Sequence, residues 1–287
     1  NEIKKALQNN FISTYGNISE KTKEKIKHIT KSNYVELSNS GSSALILAIK
    51  SLKLQKEEMI ITSNFTFIAT VNSIMHCGHI PWIFDIESKN FSINLDKLNE
   101  TLNEETYFKK GGLYNKKLKK RISCIIVVFF AGIVPDLNKL QKIAKKFKLK
   151  VIVDCAGGFF SLIENKEILK KVDITITSFN GNKSLTAGSG GAIFSNKLKY
   201  AKIFSNLIDN SKSKKPYYHL DFGFNFKISN IHSAILLGQL KRYKEIKSKK
   251  NKIKQFYDQK LSSKHFKLIK SKNTLWQNFI IIDNKIN

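Results

Sequence analysis

The sequence predicts an α/β protein with a mainly parallel sheet between helices. Two observations support this prediction: apolar runs alternate between strand and helix periodicity along the chain, and most of the predicted strands are separated by helices. The length of 287 residues and the hydrophobic content of 41% are sufficient to bury a substantial core. We therefore expect a globular protein with one large domain, or a large domain followed by a smaller one.

The first half of the chain alternates regularly between the two periodicities. The pattern predicts strands at 34–37, 58–62 and 79–84, and helices at 19–29, 42–52, 66–77 and 95–102. Residues 104–120 are polar and rich in lysine, and we interpret them as a loop.

The second half continues the alternation and then changes character. Strands are predicted at 122–128, 150–154, 174–178 and 191–194, with a helix at 137–147. One long helix or two should cover 228–261, and an alternating strand should follow at 276–282. We place a domain boundary inside the long helical region, which divides the chain into a large domain at 1–245 and part of a small C-terminal domain at 246–287.

The charge of the chain is strongly positive, but its pattern argues against nucleic-acid binding as the main function. The formal net charge is +28, and all but two of the 50 basic residues, Arg121 and Arg242, are lysines. The lysines are scattered along the chain, whereas base-edge and bidentate phosphate contacts favour arginine. A basic surface would still attract a small anionic substrate.

Cysteine content and hydropathy predict a cytoplasmic protein. Cys77, Cys124 and Cys155 are far apart in apolar surroundings, so we expect core residues without a disulfide framework or a zinc site. No apolar stretch approaches the roughly 18 residues that a membrane span requires. The first residues lack the core of a signal peptide.

Two loops in the first half could contact a ligand. Asn39-Ser-Gly-Ser-Ser43 lies at the start of a helix, where exposed backbone N–H groups and the positive end of the helix dipole suit a phosphate. The alternative for this loop is an ordinary serine cap. Phe67, in Asn64-Phe-Thr-Phe67, could stack on a flat ring, or it could belong to the core.

Two charged residues follow in the second half. Asp154 ends an apolar strand, at the edge of the sheet where α/β proteins bind ligands, and a buried carboxylate there needs a cationic partner such as a pyridinium nitrogen. Lys183 lies among small residues and glycines, where a desolvated amine could form a Schiff base. The alternatives are a turn aspartate and one more surface lysine. A phosphate loop, an aromatic residue, a strand-end aspartate and a lysine in this order are typical of fold-type-I pyridoxal-phosphate enzymes.

The chain resembles the DegT/DnrJ/EryC1/StrS family of nucleotide-sugar aminotransferases over nearly its whole length. Residues 39–45 are similar to the phosphate-loop pattern "NGT-A-L", 65–74 to "LTFIATANAI", 219–227 to "HDEIGYNYR", and 230–240 to "NINAAL…AQL". The segment from Ser178 onward is closest to "SFNGNK…TTGGGG". That pattern is typical of the subgroup that makes 4-amino-6-deoxy sugars on UDP-N-acetylhexosamines.

The resemblance implies a fold-type-I aminotransferase that uses pyridoxal 5'-phosphate and acts as a homodimer with shared active sites. It implies amino transfer from L-glutamate to a nucleotide-linked 4-keto-6-deoxy sugar in polysaccharide or glycan biosynthesis. Lys183 would form the Schiff base and move the proton, and Asp154 would pair with the pyridine nitrogen. The remaining cofactor-binding residues would be Phe67 on the ring, Ser42, Ser43 and Ser178 on the phosphate, and Asn225 and Lys227 in the partner's site.

Two residues depart from the family pattern. Gly157 stands where the family carries Gln, Glu or His near the cofactor, and Lys227 replaces an arginine. The family also extends beyond the last residue of this chain, which we interpret as a truncated C-terminal domain. These departures leave open a non-catalytic homologue that dimerises or binds nucleotide sugars. A sugar dehydratase is disfavoured because enzymes of that kind carry His in place of the lysine, and Lys183 is retained.

Overall fold

A nine-stranded sheet forms the centre of the fold. The computed structural model describes residues 2–88, 90–261 and 266–282. The strands within these ranges are β1 (Tyr34–Ser38), β2 (Met59–Ser63), β3 (Ile80–Phe84), β4 (Thr106–Lys109), β5 (Gly112–Asn115), β6 (Arg121–Val128), β7 (Lys150–Asp154), β8 (Ile174–Ser178), β9 (Gly191–Ser195), β10 (Phe266–Leu268) and β11 (Ile280–Ile282).

The sheet is mainly parallel, which confirms the predicted fold class. Its main path runs β1-β9-β8-β7-β6-β2-β3. All neighbours from β8 to β3 pair in parallel, and β9 is antiparallel to both β1 and β8. The C-terminal ends of β2, β6, β7 and β8 therefore lie along one edge of the sheet, where α/β folds place their ligands.

Helices cover both faces of the sheet. They are α1 (Glu2–Gln8), α2 (Asn17–Thr30), α3 (Gly41–Ser51), α4 (Ala69–His76), α5 (Leu95–Glu105), α6 (Leu137–Lys146), α7 (Phe159–Glu164), α8 (Ile168–Lys171), α9 (Leu198–Leu207), α10 (Asn230–Lys241) and α11 (Tyr243–Lys260). Several begin at a side-chain cap that accepts a backbone N–H, as expected for Ser, Asn and Asp. These caps are Ser40 for α3, Asn94 for α5, Asp136 for α6 and Ser229 for α10.

The core has two layers because successive residues of a buried strand point to opposite faces. In β7, Val151 and Val153 pack into one cluster and Ile152 into the other. Cys155 belongs to the first layer, whereas Cys77 and Cys124 belong to the second. All three cysteines are buried and unpaired, which confirms their prediction as core residues.

The structure corrects two predictions of secondary structure. The segment 104–120 is wrong as a loop, because α5 extends to Glu105 and an antiparallel hairpin of β4 and β5 follows. The hairpin continues the sheet, since β5 also pairs with β6. The strand predicted at 276–282 is reduced to β11, which pairs with β10, and residues 276–279 form a bend and an irregular segment before it.

The long helical region consists of two helices, α10 and α11, with Arg242 between them. The predicted domain boundary at 245–246 lies within α11, and the division into two domains stays a prediction. Residues 262–265 and 283–287 of the proposed C-terminal domain are outside the described part of the chain. Among the helices that the structure describes, none is both long and apolar enough to cross a membrane.

Candidate active site

A cavity of about 560 Å³ lies at the C-terminal edge of the parallel strands. It contains five of the residues that the sequence singles out: Ser42, Phe67, Asp154, Ser178 and Lys183. Its walls come from the start of α3, the loop before α4, and the segments that follow β6, β7 and β8. Residues separated by more than 140 positions along the chain thus meet at one site.

Asp154 ends β7 as a buried carboxylate, 5% exposed. Its Oδ2 accepts a hydrogen bond of 2.7 Å from the Thr70 hydroxyl, and its Oδ1 accepts one of 3.0 Å from the N–H of Ala156. The Thr70 hydroxyl lies 2.8 Å from that of Thr66, which continues the network toward the cavity. Burial raises the pKa of Asp154, while the two donors and the charge of Lys183 oppose that shift.

Lys183 lies on the turn that follows β8. The turn is closed by a 3.0 Å bond from the Lys183 N–H to the carbonyl of Asn180. Burial lowers the pKa of the Lys183 amine, and the negative charge of Asp154 acts in the opposite direction. Burial is the larger of the two effects, so the partly desolvated amine can act as a base or a nucleophile at a lower pH than an exposed lysine.

Trp276 closes one side of the cavity against Lys183. The Lys183 Nζ lies 3.5 Å from the centroid of the indole. Trp276 donates its backbone N–H to the carbonyl of Ala131 at 2.9 Å and its indole Nε1–H to the carbonyl of Asn182 at 2.8 Å. Its own carbonyl accepts a 2.8 Å bond from Lys250.

Gly157 provides the space that the indole occupies. A Cβ at this position would lie 2.8 Å from Cε3 of Trp276, which is closer than real Cβ contacts allow. The position where the family carries a longer polar side chain is therefore not empty here, because Trp276 packs against it.

The start of α3 faces the cavity with a favourable arrangement for an anion. The N–H groups of Gly41 and Ser42 belong to the first turn of the helix, which has no intrahelical partner for them. Gly41 allows a close approach to β8, since a Cβ there would lie 2.9 Å from Cβ of Ser178. Ser42 and Ser178 line the cavity, but Ser43 does not: its hydroxyl donates to Oδ1 of Asn39 at 2.6 Å.

Phe67 is 79% exposed and lies on the cavity wall, which is unusual for a large apolar side chain. Its neighbour Phe65 belongs to an aromatic cluster with Phe91 and Phe130, whose ring centroids are 4.9 to 5.4 Å apart. The Phe67 ring is therefore available for stacking, whereas the Phe65 ring has partners within the fold.

Asn225 and Lys227 do not line this cavity. The backbone of Asn225 forms a bridge with Asp209, and the Lys227 amine lies 3.4 Å from the carboxylate of Asp209. Their roles in a partner's site stay predictions. In the described chain their segment pairs with the residues before α3, since Asn39 donates its N–H to the carbonyl of Phe226 at 2.7 Å and its side-chain amide to that of Asn225 at 3.4 Å. Thr70, Asn182 and Trp276 were missed from the sequence. Thr70 lies within the recognised segment 65–74, but nothing in its local pattern indicates a contact with a strand 84 residues away.

Comparisons with known proteins identify the family of the chain. The sequence pattern of the DegT/DnrJ/EryC1/StrS aminotransferase family matches residues 1–285. The chain is 28% identical to GDP-perosamine synthase of Escherichia coli O157:H7 over 262 residues, which are 91% of this chain and 68% of that protein. It is also 28% identical to UDP-4-amino-4,6-dideoxy-N-acetyl-β-L-altrosamine transaminase of Campylobacter jejuni, over 82% of this chain and 60% of that one.

Solved structures show the same fold. NtdA from Bacillus subtilis, with bound cofactor PMP, superimposes with a TM-score of 0.83 at 24% identity, covering 96% of this chain and 60% of that one. A DegT/DnrJ/EryC1/StrS aminotransferase from Brucella abortus has a TM-score of 0.85 at 20% identity, covering 99% of this chain and 74% of that one. The chain belongs to the DegT/DnrJ/EryC1/StrS family of pyridoxal-phosphate-dependent aminotransferases.

Proposed function

We propose that this protein transfers an amino group from L-glutamate to the keto group of a nucleotide-linked 4-keto-6-deoxy sugar, using pyridoxal phosphate. The observation that carries the proposal is the meeting of Lys183 and Asp154 in one cavity. The names of the similar proteins support the substrate class, since they include a GDP-sugar synthase and a UDP-sugar transaminase. The buried, unpaired cysteines support a reducing cytoplasm as its location.

The residues of the cavity fit pyridoxal phosphate in three respects. The Asp154 carboxylate is buried and bonded to neutral donors, so a protonated ring nitrogen would supply the opposite charge that it needs. The exposed face of Phe67 suits the ring. The first turn of α3, with Ser42 and Ser178, suits the phosphate.

The chemistry divides between the cofactor and the protein. Bound pyridoxal phosphate supplies an electron sink for negative charge at the carbon that gains or loses the amino group. Asp154 holds a proton at the ring nitrogen through its charge, and Thr70 orients that carboxylate. The Lys183 amine would take the proton from the glutamate carbon that bears the amino group, and in the second half-reaction it would deliver a proton to the sugar carbon that gains the amino group. Its partial burial favours the neutral, basic form that the first of these steps requires.

The direct test is spectroscopic and kinetic. The purified protein should be yellow, and Lys183→Ala should lose both the colour and amino transfer. A panel of UDP-, GDP- and dTDP-linked 4-keto-6-deoxy sugars, each assayed with and without glutamate, would then identify the substrate. A colourless protein that takes up no added pyridoxal phosphate would refute the proposal and favour a non-catalytic homologue.

We also propose that a second copy of the chain completes the site. The loop that precedes Asn225 exposes large apolar side chains, including Tyr217 at 102% and Phe222 at 95%. Such a patch is costly in water and is typical of a surface that a partner covers. The loop continues directly into Asn225 and Lys227, so a partner that covers it would lie beside both residues.

Mixed dimers test this proposal. If Lys227 acts in the partner's site, Lys227→Met and Lys183→Ala should each be inactive alone. Their co-expression should restore about a quarter of the wild-type activity, because half of the dimers would be mixed and each would hold one intact site. Two inactive variants that stay inactive together would show that Lys227 does not act across an interface.

A further inference from the structure

Trp276 and Gly157 form a matched pair beside the proposed catalytic lysine. The indole fills the space that a side chain at position 157 would occupy, with only 2.8 Å from Cε3 to an added Cβ. Neither residue is among those that the motifs assign to the cofactor. We infer that Trp276 is a positioning residue for Lys183, holding its ammonium group against the indole face, and that Gly157 is required for this arrangement.

The position of the indole is determined by several contacts. Three hydrogen bonds of 2.8 to 2.9 Å hold it: from its N–H to Ala131, from Nε1–H to Asn182, and from Lys250 to its carbonyl. The bond to Asn182 is the most specific, because it anchors the ring to the residue immediately before Lys183. Movement of the lysine turn and of the indole is thereby coupled.

The Nζ of Lys183 is 3.5 Å from the indole centroid, a distance typical of a close cation–π contact. The indole is the strongest partner among aromatic side chains, and its attraction increases where water is partly excluded. Within the described chain, Asp154 is the only other ionisable side chain that lines the cavity. Lys250 is not among the residues that line the cavity, and its amine donates to the backbone carbonyl of Trp276.

The contact should act on both the ionisation and the location of the amine. Attraction to the indole favours the ammonium form, and it partly offsets the loss of hydration that burial imposes. Removal of the aromatic face while apolar bulk is kept should therefore make the neutral amine more abundant. Substitution of Gly157 by a larger residue should have the same effect, because the added side chain would displace the indole ring.

The experiment measures the ionisation of Lys183 in the cofactor-free protein. Brief labelling with acetic anhydride across a range of pH, followed by mass spectrometry of the peptide that contains Lys183, reports the neutral amine. The labelling rate at neutral pH, divided by the labelling rate at the alkaline plateau, gives the fraction of neutral amine, and accessibility of the amine cancels from this ratio. In Trp276→Leu this ratio should rise about three- to thirty-fold, since the charged form loses the cation–π attraction.

Three variants distinguish the aromatic face from a general loss of structure. Trp276→Phe keeps a ring and should retain most of the wild-type ratio. Gly157→Ala should resemble Trp276→Leu, whereas Gly238→Ala, which adds its Cβ in open space on α10, should match the wild type. A ratio in Trp276→Leu equal to that of the wild type would overturn the inference, and so would a Phe variant that behaves like the Leu variant.

Fluorescence provides an independent readout. The chain has two tryptophans, so Trp82→Phe leaves Trp276 as the single indole. Its emission should change with pH in step with the labelling of Lys183, and Lys183→Met should abolish that change. Persistence of the change in Lys183→Met would contradict the contact. The role of Trp276 rests on the proposed role of Lys183. Both measurements use cofactor-free protein, so they can be interpreted even if the protein does not transfer amino groups.

Discussion

Substitution of Thr70 tests whether its hydrogen bond keeps the buried Asp154 carboxylate in its charged form. The Thr70 side chain is fully buried, and its hydroxyl donates to the Asp154 carboxylate at 2.7 Å. Thr70→Val keeps the shape of the side chain and removes the donor. A hydrogen bond to a charged group contributes about 1.5–3 kcal/mol, so we expect kcat/KM to fall roughly 10- to 150-fold.

The reason is the state of the carboxylate. Burial already raises the pKa of Asp154, and the bond from Thr70 is the largest influence that opposes this shift. Without it, the carboxylate keeps only the N–H of Ala156 and the charge of Lys183 as favourable partners. Its charged form, which the proposed mechanism requires at the ring nitrogen, becomes less favourable.

A matched control separates this effect from ordinary destabilisation. Thr62 is equally buried, and its hydroxyl donates to the carbonyl of Ile126 at 3.1 Å instead of a carboxylate. Thr62→Val should therefore lose about 1 kcal/mol of unfolding free energy, with little change in kcat/KM. The assay is the glutamate half-reaction followed by absorbance, beside denaturant unfolding of both variants. Equal kcat/KM in Thr70→Val and the wild type would refute the reasoning.

Three other substitutions have distinct expected outcomes. Glu164→Gln should cost about 1–3 kcal/mol in denaturant unfolding, because the Glu164 carboxylate accepts bonds from the N–H and hydroxyl of Thr274. Burial raises the pKa of Glu164, but the bonds from Thr274 together with the ion pair to Lys247 outweigh it, and the net shift is downward. The stabilisation is therefore present above the unfolded-state pKa and lost as pH falls through the folded-state pKa, and an identical acid profile in both proteins would contradict this. Phe67→Ala should raise the Kd for pyridoxal phosphate about two- to twelve-fold, because the cofactor loses a stacking partner. The unfolding free energy should stay unchanged, because the ring is 79% exposed. An unchanged Kd in a fluorescence titration would show that the ring does not stack on the cofactor. Asp154→Asn should abolish most amino transfer. It should maintain or raise the thermal midpoint of the cofactor-free protein, because it removes a charge that burial disfavours. A large fall in the midpoint, measured by calorimetry, would show instead that the charge stabilises the fold.

The sequence was sufficient for the fold class because the relevant signals are local. The Val and Ile run in 150–154 and the β-branched run in 174–178 coincide with β7 and β8, since strands buried on both faces are rich in such residues. The hairpin at 106–115 was missed because its two strands are short and their charged and polar residues obscure the apolar alternation of a strand. A signal was available: the turn contains Gly111, and it lies between Tyr107 and Tyr114, which pair across the two strands.

The candidate residues could be selected from the sequence alone, but the fold was needed to show which of them lie together. The order of Ser42, Phe67, Asp154, Ser178 and Lys183 along the chain indicated one site, because the ends of parallel strands converge at one edge. Contacts made by residues without a local signature could not be predicted in this way. Whether the space beside a glycine stays open depends on which distant segment packs there, and in this protein it is the indole of Trp276, more than a hundred residues later in the chain.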